Sequence, residues 1–189
     1  PRRIGTPGEP ERYWLGKEQG KGGYATVYAA YDSVRGERIA CKIAKASYDP
    51  SQKREIVLQA ALNHPSIVGL RDVVYAPPPA GSAGVTGTIY IMMEFMGGGE
   101  LFKLVQRQKG LAEAECATFF RQIMLGVAYC HSRGVCHRDL KLENLVLSRP
   151  GDLSSVTIVD FGLAKAARAR EKMEDVCGTL WFYAPEIVN

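Results

Sequence analysis

The chain has 189 residues, 46% of them hydrophobic and 23% charged, which excludes a collagen-like, coiled-coil or wholly disordered chain and leaves room for one domain or two small lobes. Its 24 lysines and arginines against 20 aspartates and glutamates give a net charge of +4, scattered along the chain, so charge offers no argument for nucleic acid as a partner. No apolar run approaches a bilayer span, and the start PRRIGTPGEPERYW lacks the apolar core of a signal peptide, so an intracellular protein, cytoplasmic or nuclear, with no membrane span is expected.

Residues 1–12, rich in proline, glycine and charge, read as a flexible lead-in outside the fold, and the absence of an initial methionine reads as the mark of a fragment. From Tyr13 the pattern is of strands: YATVYAAYD alternates, SVRGE makes a turn and RIACKI resumes as the next strand. Pro50 to Leu62 has a polar start and carries Ile56, Leu58, Ala60 and Leu62 before His64 and Pro65 stop it, which predicts a short helix. APPPAGSAGVTG (residues 76–87) reads as a surface loop between two strands. After Gly97, Gly98 and Gly99 the period changes: Cys116, Phe119, Ile123, Val127 and Cys130, three and four apart, predict one face of a helix over Glu113 to Ser132 with Gly134 as its stop. ENLVL and SVTIV read as short strands, and Ala164 to Glu174 as a mobile loop. The five cysteines are odd in number and widely spaced, which points to reduced thiols.

The chemistry lies in a succession of motifs. GKGGYATV puts Gly20, Gly22 and Ala25 on a G-x-G-x-x-G-x-V pattern, in which glycines let backbone N–H groups approach phosphate oxygens. Lys42 closes the following strand, Glu55 lies on the next helix, HRDLKLEN spans His137 to Asn144, DFG is Asp160 to Gly162 and APE is Ala184 to Glu186. This order resembles the eukaryotic protein kinase family from about Tyr13 to Asn189. The resemblance implies an α+β, two-lobed fold, with a complete small β-rich ATP-binding lobe and hinge at 13–96 and an incomplete helical catalytic lobe at 97–189. It implies a protein serine/threonine kinase that uses ATP and magnesium.

ATP is polyanionic, and transfer of its γ-phosphate needs charge neutralised, the phosphate held in line and an acceptor hydroxyl oriented. By resemblance, Lys42 would hold the α- and β-phosphates, positioned by Glu55. Asp139 would be the base that orients the hydroxyl, and Lys141 would stabilise the transferring phosphate. Asn144 and Asp160 would hold magnesium through hard oxygens. Val27 and Ala40 above and Leu145 below would enclose adenine, backbone groups of Glu94 and Met96 would hydrogen-bond it, and Glu100 would face the ribose. His137 and Phe161 are expected to stack rather than react. Lys141 in DLKLEN and Thr179 in CGT resemble serine/threonine kinases, with most likeness to the calcium/calmodulin-dependent group. Glu100 and Glu143 match positions that favour substrates with upstream basic residues. Asp175 stands where related kinases often carry a phosphorylated threonine facing the HRD arginine, here Arg138.

Four departures stand out. Ala25 replaces the third glycine, and Leu180 and Phe182 replace a more usual proline and tyrosine. Gln59 occupies a position that is usually apolar, where a buried carboxamide without a partner would cost roughly 1 to 3 kcal/mol. The chain also stops three residues after Glu186, short of the usual helical lobe. The alternative expectation is therefore a catalytically inactive, truncated or pseudokinase-like fragment that binds nucleotide.

Overall fold

The computed structural model describes residues 2–5, 11–22, 25–46, 50–78, 80–81, 86–167, 173 and 175–188. They fall into two compact units, one of residues 1–50 and 70–95, the other of residues 51–69 and 96–189.

The first unit is a six-stranded antiparallel sheet. Its strands are β1 (Arg2–Ile4), β2 (Tyr13–Lys21), β3 (Ala25–Asp32), β4 (Glu37–Lys45), β5 (Leu70–Ala76) and β6 (Thr88–Glu94), in the order β1-β2-β3-β4-β6-β5. Alternation drives it: Ala30, Ile39, Cys41, Tyr90 and Met92 point to one face and bury against Tyr13 and Val74. Burial pushes the Cys41 thiol up to about 12, so it stays protonated. Part of the stretch read as a lead-in belongs to this fold. Ile4 pairs with Tyr13 and is buried in the same core, and a three-residue strand is too short for its alternation to show in sequence. Residues 6–10 of that stretch lie outside the described residues, as do positions 79 and 82–85 of the loop between β5 and β6.

Arg12, also from the supposed lead-in, ties the sheet at one end. Its Nε and Nη2 donate to Asp32 at 2.9 and 2.6 Å, while Asp32 Oδ1 also accepts from the backbone N–H of Val34 and Arg35, closing the β3–β4 turn. The bidentate guanidinium holds the Asp32 carboxyl down from 3.8 to about 2. A depressed carboxylate contributes stability that is complete above the unfolded value near 3.8 and is lost as the pH falls through about 2. Asp32→Asn is therefore expected to cost about 2 kcal/mol at neutral pH and to flatten the loss of stability between those two values. Urea unfolding at pH 7 and pH 3 checks both halves; an unchanged urea midpoint at pH 7 contradicts the assignment.

The second unit holds α1 (Pro50–Ala60), α2 (Leu101–Gln108), α3 (Glu113–Ser132) and α4 (Pro185–Val188). It adds β7 (Gly99–Glu100), β8 (Val135–Cys136), β9 (Leu145–Leu147), β10 (Val156–Ile158) and β11 (Lys165–Ala166), forming the sheets β10-β9-β7 and β11-β8. The helix α1 groups here rather than with the strands that precede it, a departure from the expected boundary near residue 96. The reason is the segment after it: Asn63 N–H donates to the Tyr129 hydroxyl at 3.1 Å, His64 stacks on Tyr129, and Ile67 bridges Ile158. α3 forms over the range its spacing predicts, with Ile123, Gly126 and Cys130 buried and Gly134 at φ +66 ending it. Its start is capped by the Glu115 carboxylate, which accepts from Ala112 N–H at 2.8 Å. Lys165 and Ala166, placed in a mobile loop by sequence, instead form β11 against β8, because two-residue strands leave no periodic signal. Residues 168–172 and 174 of that loop lie outside the described residues.

Candidate active site

The catalytic loop starts where β8 ends. His137 is buried, its Nε2 donating to the Val159 carbonyl at 3.1 Å and its Nδ1 accepting from Asp139 N–H at 3.3 Å, so it is neutral and fixes the loop. Burial is the main reason its pKa falls. Its ring meets Phe161 edge-on at 4.9 Å, the packing role expected of both.

Two residues later Asp139 gathers three side chains. Oδ1 accepts from the Thr179 hydroxyl at 2.7 Å, Oδ2 accepts from Asn144 Nδ2 at 3.0 Å, and Lys141 Nζ stands 3.0 Å from Oδ2. Asn144 Nδ2 also donates to the Asp139 carbonyl at 2.8 Å, and Lys141 Nζ donates to the Thr179 hydroxyl at 2.8 Å. Burial alone would raise the Asp139 carboxyl, but the hydrogen bonds from Thr179 and Lys141 and the lysine charge outweigh it and hold it below the ordinary value. The group is therefore ionised at neutral pH, the state a hydroxyl-orienting base requires.

The hairpin β9–β10 brings Asn144 and Asp160 together from sixteen positions apart. Leu145 pairs with Ile158, and beyond them Val159 N–H donates to the Asn144 carbonyl at 3.0 Å, so Asp160 leaves the hairpin at the foot that carries Asn144. Because both Asn144 amide hydrogens turn to Asp139, its side-chain oxygen faces away from that residue. An amide oxygen and a carboxylate are the hard donors that magnesium prefers, so the residues present fit that ion. Asp160 at φ +62 and Arg138 at φ +67 are non-glycine residues in the left-handed region, strain that clusters at working sites. A Cβ on Gly162 would stand 3.3 Å from Asp160 Oδ1 and 3.8 Å from Glu55 Oε2, so the Glu55 carboxylate sits beside the DFG turn. Gln59, one helical turn further, is buried and donates from Nε2 to the Val68 carbonyl at 3.4 Å, a long bond but not the orphan its position suggested.

In the sheet unit, Val27 lies opposite Lys42 and Ala29 opposite Ala40, so Val27, Ala40 and Lys42 share the face turned away from Ala30, Ile39 and Cys41. Gly20 pairs with Val27, and Gly22 N–H donates to the Ala25 carbonyl at 2.8 Å, folding the glycine-rich turn back on itself. Gly23 and Tyr24 at its tip lie outside the described residues. Glu94 ends β6 with its carboxylate 3.0 Å from Arg71, Met96 opens the second unit, and Leu145 is buried in β9. Glu100, just before α2, pairs with Lys103 at 2.6 Å, while Glu143 is exposed.

Two contributors escaped the sequence reading as site residues. Thr179 was seen only as a class marker, yet its hydroxyl bridges Asp139 and Lys141. Lys165 gave no signal; β11 carries it to Asp175, at 2.8 Å.

The protein kinase domain matches residues 13–189 of this chain. The chain is 38% identical over 187 residues to CBL-interacting serine/threonine-protein kinase 15 of Arabidopsis thaliana, an alignment covering 94% of this chain and 41% of that protein. It is 36% identical over 197 residues to CBL-interacting serine/threonine-protein kinase 26 of the same plant, covering 100% of this chain and 41% of the relative. It is also 36% identical over 191 residues to CBL-interacting protein kinase 25 of Oryza sativa subsp. japonica, with 94% and 35% covered. The chain thus spans about two fifths of the length of the curated relatives it matches.

Proposed function

This chain belongs to the protein kinase family, of the serine/threonine type, and from its catalytic loop we propose that it transfers the γ-phosphate of ATP to serine or threonine hydroxyls of proteins. The observation that carries the reading is the Thr179 hydroxyl seated between Asp139 Oδ1 and Lys141 Nζ, at 2.7 and 2.8 Å: this pair is built to hold a hydroxyl between a proton acceptor and a cation. When bound, magnesium-ATP supplies the phosphoryl group and the metal that screens its charge, as the family uses generally.

The protein's own part is positioning and proton handling. Asp139 orients the acceptor hydroxyl and takes its proton as the new O–P bond forms and the bond from the γ-phosphorus to the β–γ bridging oxygen breaks. Lys141 stabilises the charge spread over the transferring oxygens. Asn144 and Asp160 would hold the metal, and Lys42 the α- and β-phosphates, with Glu55 as its positioning partner. Gly20, Gly22 and Ala25 would line the phosphates. Val27, Ala40 and Leu145, with backbone groups of Glu94 and Met96 and the Glu100 carboxylate, would receive the nucleoside. A preference for substrates with upstream basic residues rests on Glu143, since Glu100 must first exchange Lys103 for the substrate. Among the described residues no helix is long and apolar enough to cross a membrane.

Lys42→Met and Asp160→Asn test the nucleotide part. Each removes a charged contact of about 1.5 to 3 kcal/mol, so magnesium-ATP affinity is expected to fall about tenfold to a hundredfold in each variant. Calorimetric titration with and without magnesium reads this. Unchanged magnesium-dependent affinity in both variants contradicts the pocket.

A further inference from the structure

We propose that the groove bordered by Trp14, Tyr31 and Arg38 in the sheet unit docks an acidic segment of another protein, which lays an aromatic side chain in the groove beside a carboxylate. These residues take no part in the phosphoryl transfer.

Strand register builds the site. Arg3 lies opposite Trp14, Trp14 opposite Tyr31 and Tyr31 opposite Arg38, so one row crosses β1, β2, β3 and β4. Alternation puts this row on the same face as Val27, Ala29 and Ala40, turned away from the core of Tyr13, Ala30 and Ile39. Gly16 and Ala29 come next along the strands, and with Trp14, Tyr31 and Arg38 they line a shallow groove of about 270 Å³. Its floor is bare where the strands run closest: a Cβ on Gly16 would fall 3.1 Å from the Ala29 carbonyl oxygen.

The row offers aromatic surface with a cation at either end. Trp14 is 42% exposed and Tyr31 40%, their centroids 6.3 Å apart and their planes tilted by 51°, so neither ring covers the other. Arg3 sits over Trp14 at 5.5 Å and Arg38 over Phe95 at 4.2 Å, cation–π contacts that hold both guanidiniums in place. The acids nearby are engaged, Glu11 with Arg3 at 3.6 Å, Glu37 with Arg35 at 3.8 Å and Glu94 with Arg71 at 3.0 Å. Among the described residues no carboxylate lies within ion-pair distance of Arg38. A carboxylate on the occupant supplies that partner, and charge complementarity makes the occupant acidic.

The volume selects a side chain over a free small molecule. Drug-sized ligands are enclosed in pockets of about 300 to 1,000 Å³, whereas this groove is smaller and open. A peptide adds main-chain and flanking contacts that a lone ring lacks, and tryptophan, tyrosine and arginine are the anchors that dominate protein–protein interfaces. Single-stranded nucleic acid also stacks on such rings, but it follows a continuous basic groove, and here Glu11 and Glu37 interrupt the arginines. Tyr31 is four residues along β3 from Val27, about 13 Å, so an occupant leaves the row of Val27 and Lys42 clear.

The test titrates the whole chain with a fluorescein-labelled glycine–serine peptide carrying Asp-Phe-Asp at its centre, read by anisotropy. Saturable binding is expected, weakened about tenfold by Trp14→Ala and about tenfold when the peptide's phenylalanine is replaced by alanine. Arg38→Glu is expected to weaken the Asp-Phe-Asp peptide about tenfold and to strengthen a Lys-Phe-Lys peptide about tenfold, an exchange that a misfolded variant does not show. Magnesium-ATP affinity is expected to stay within about twofold in Trp14→Ala, which separates failure of this site from failure of the nucleotide pocket. Absence of saturable binding up to about 1 mM peptide overturns the proposal, as does equal affinity for the phenylalanine and alanine peptides or an unchanged preference in Arg38→Glu. Tighter binding of labelled oligothymidylate, abolished by Trp14→Ala, also overturns it and makes the groove a nucleic-acid site.

Discussion

Asp139→Asn is expected to lower kcat by about a thousandfold while leaving magnesium-ATP affinity within about threefold, the span that loss of a positioned base produces. The substitution is nearly isosteric, and its contacts define what survives. The retained oxygen can still accept from Asn144 Nδ2 and sit by Lys141 Nζ, at the 3.0 Å each now has with Oδ2. The new amide nitrogen then takes the place of Oδ1, where the Thr179 hydroxyl can turn to accept in place of donating. The loop stays folded, but the atom that would take the hydroxyl proton has become a donor. Turnover with a serine/threonine peptide, beside a melting curve as control for folding, reads the effect. A kcat within twofold of the parent at unchanged stability removes Asp139 from the mechanism.

Gly178→Ala is expected to lower kcat at least tenfold without touching the sheet unit. The glycine sits at φ +113, a backbone conformation that a side chain disfavours, and its added Cβ would fall 2.6 Å from the Arg138 carbonyl oxygen, closer than carbon and oxygen tolerate. That oxygen belongs to Arg138, itself a non-glycine residue in the left-handed region at φ +67, so the contact is between two pieces of backbone rather than with the far end of a flexible side chain. The strain, about 1 to 3 kcal/mol, is relieved by moving the segment away from the loop, and displacement of a site group by about an ångström costs about a hundredfold in rate. Gly151 supplies the comparison: it lies at φ +73 but a Cβ there meets nothing within 4 Å, so Gly151→Ala is expected to leave kcat unchanged. Equal turnover for both variants would mean that the contact with Arg138 does not seat Thr179.

The parts visible in sequence and the parts hidden there divide by range of interaction. The helix over Glu113 to Ser132 repeats an apolar residue every three or four positions for twenty residues, so its buried face is written locally. The meeting of Asn144 with Asp160 was also legible, because two short apolar runs flanking a polar insert make a hairpin. Nothing local marks β1, β8 or β11, which are two or three residues long and exist only because a partner strand completes them. Lys165 was invisible for that reason: its role is set by the partner of β11, not by its neighbours in sequence. Thr179 escaped because a threonine near a glycine is common, and only the fold shows that its hydroxyl reaches Asp139, forty positions earlier.

The hairpin that joins Asn144 to Asp160 makes the site tolerant at one end and exacting at the other. Its tip, from Ser148 to Ser155, is closed by its own bonds, Arg149 on Asp152 at 2.6 Å and Asp152 on Ser154 N–H at 2.9 Å, and points away from the donors. Evolution can lengthen or shorten that tip, since a hairpin transmits only its register to its feet. A single residue gained or lost within Leu145–Leu147 or Val156–Ile158 is another matter, because strands alternate and every side chain beyond the change would exchange faces. Three paired residues on each side therefore act as a ruler for the metal-side donors, and changes of length should accumulate in the tip while the feet stay fixed in count.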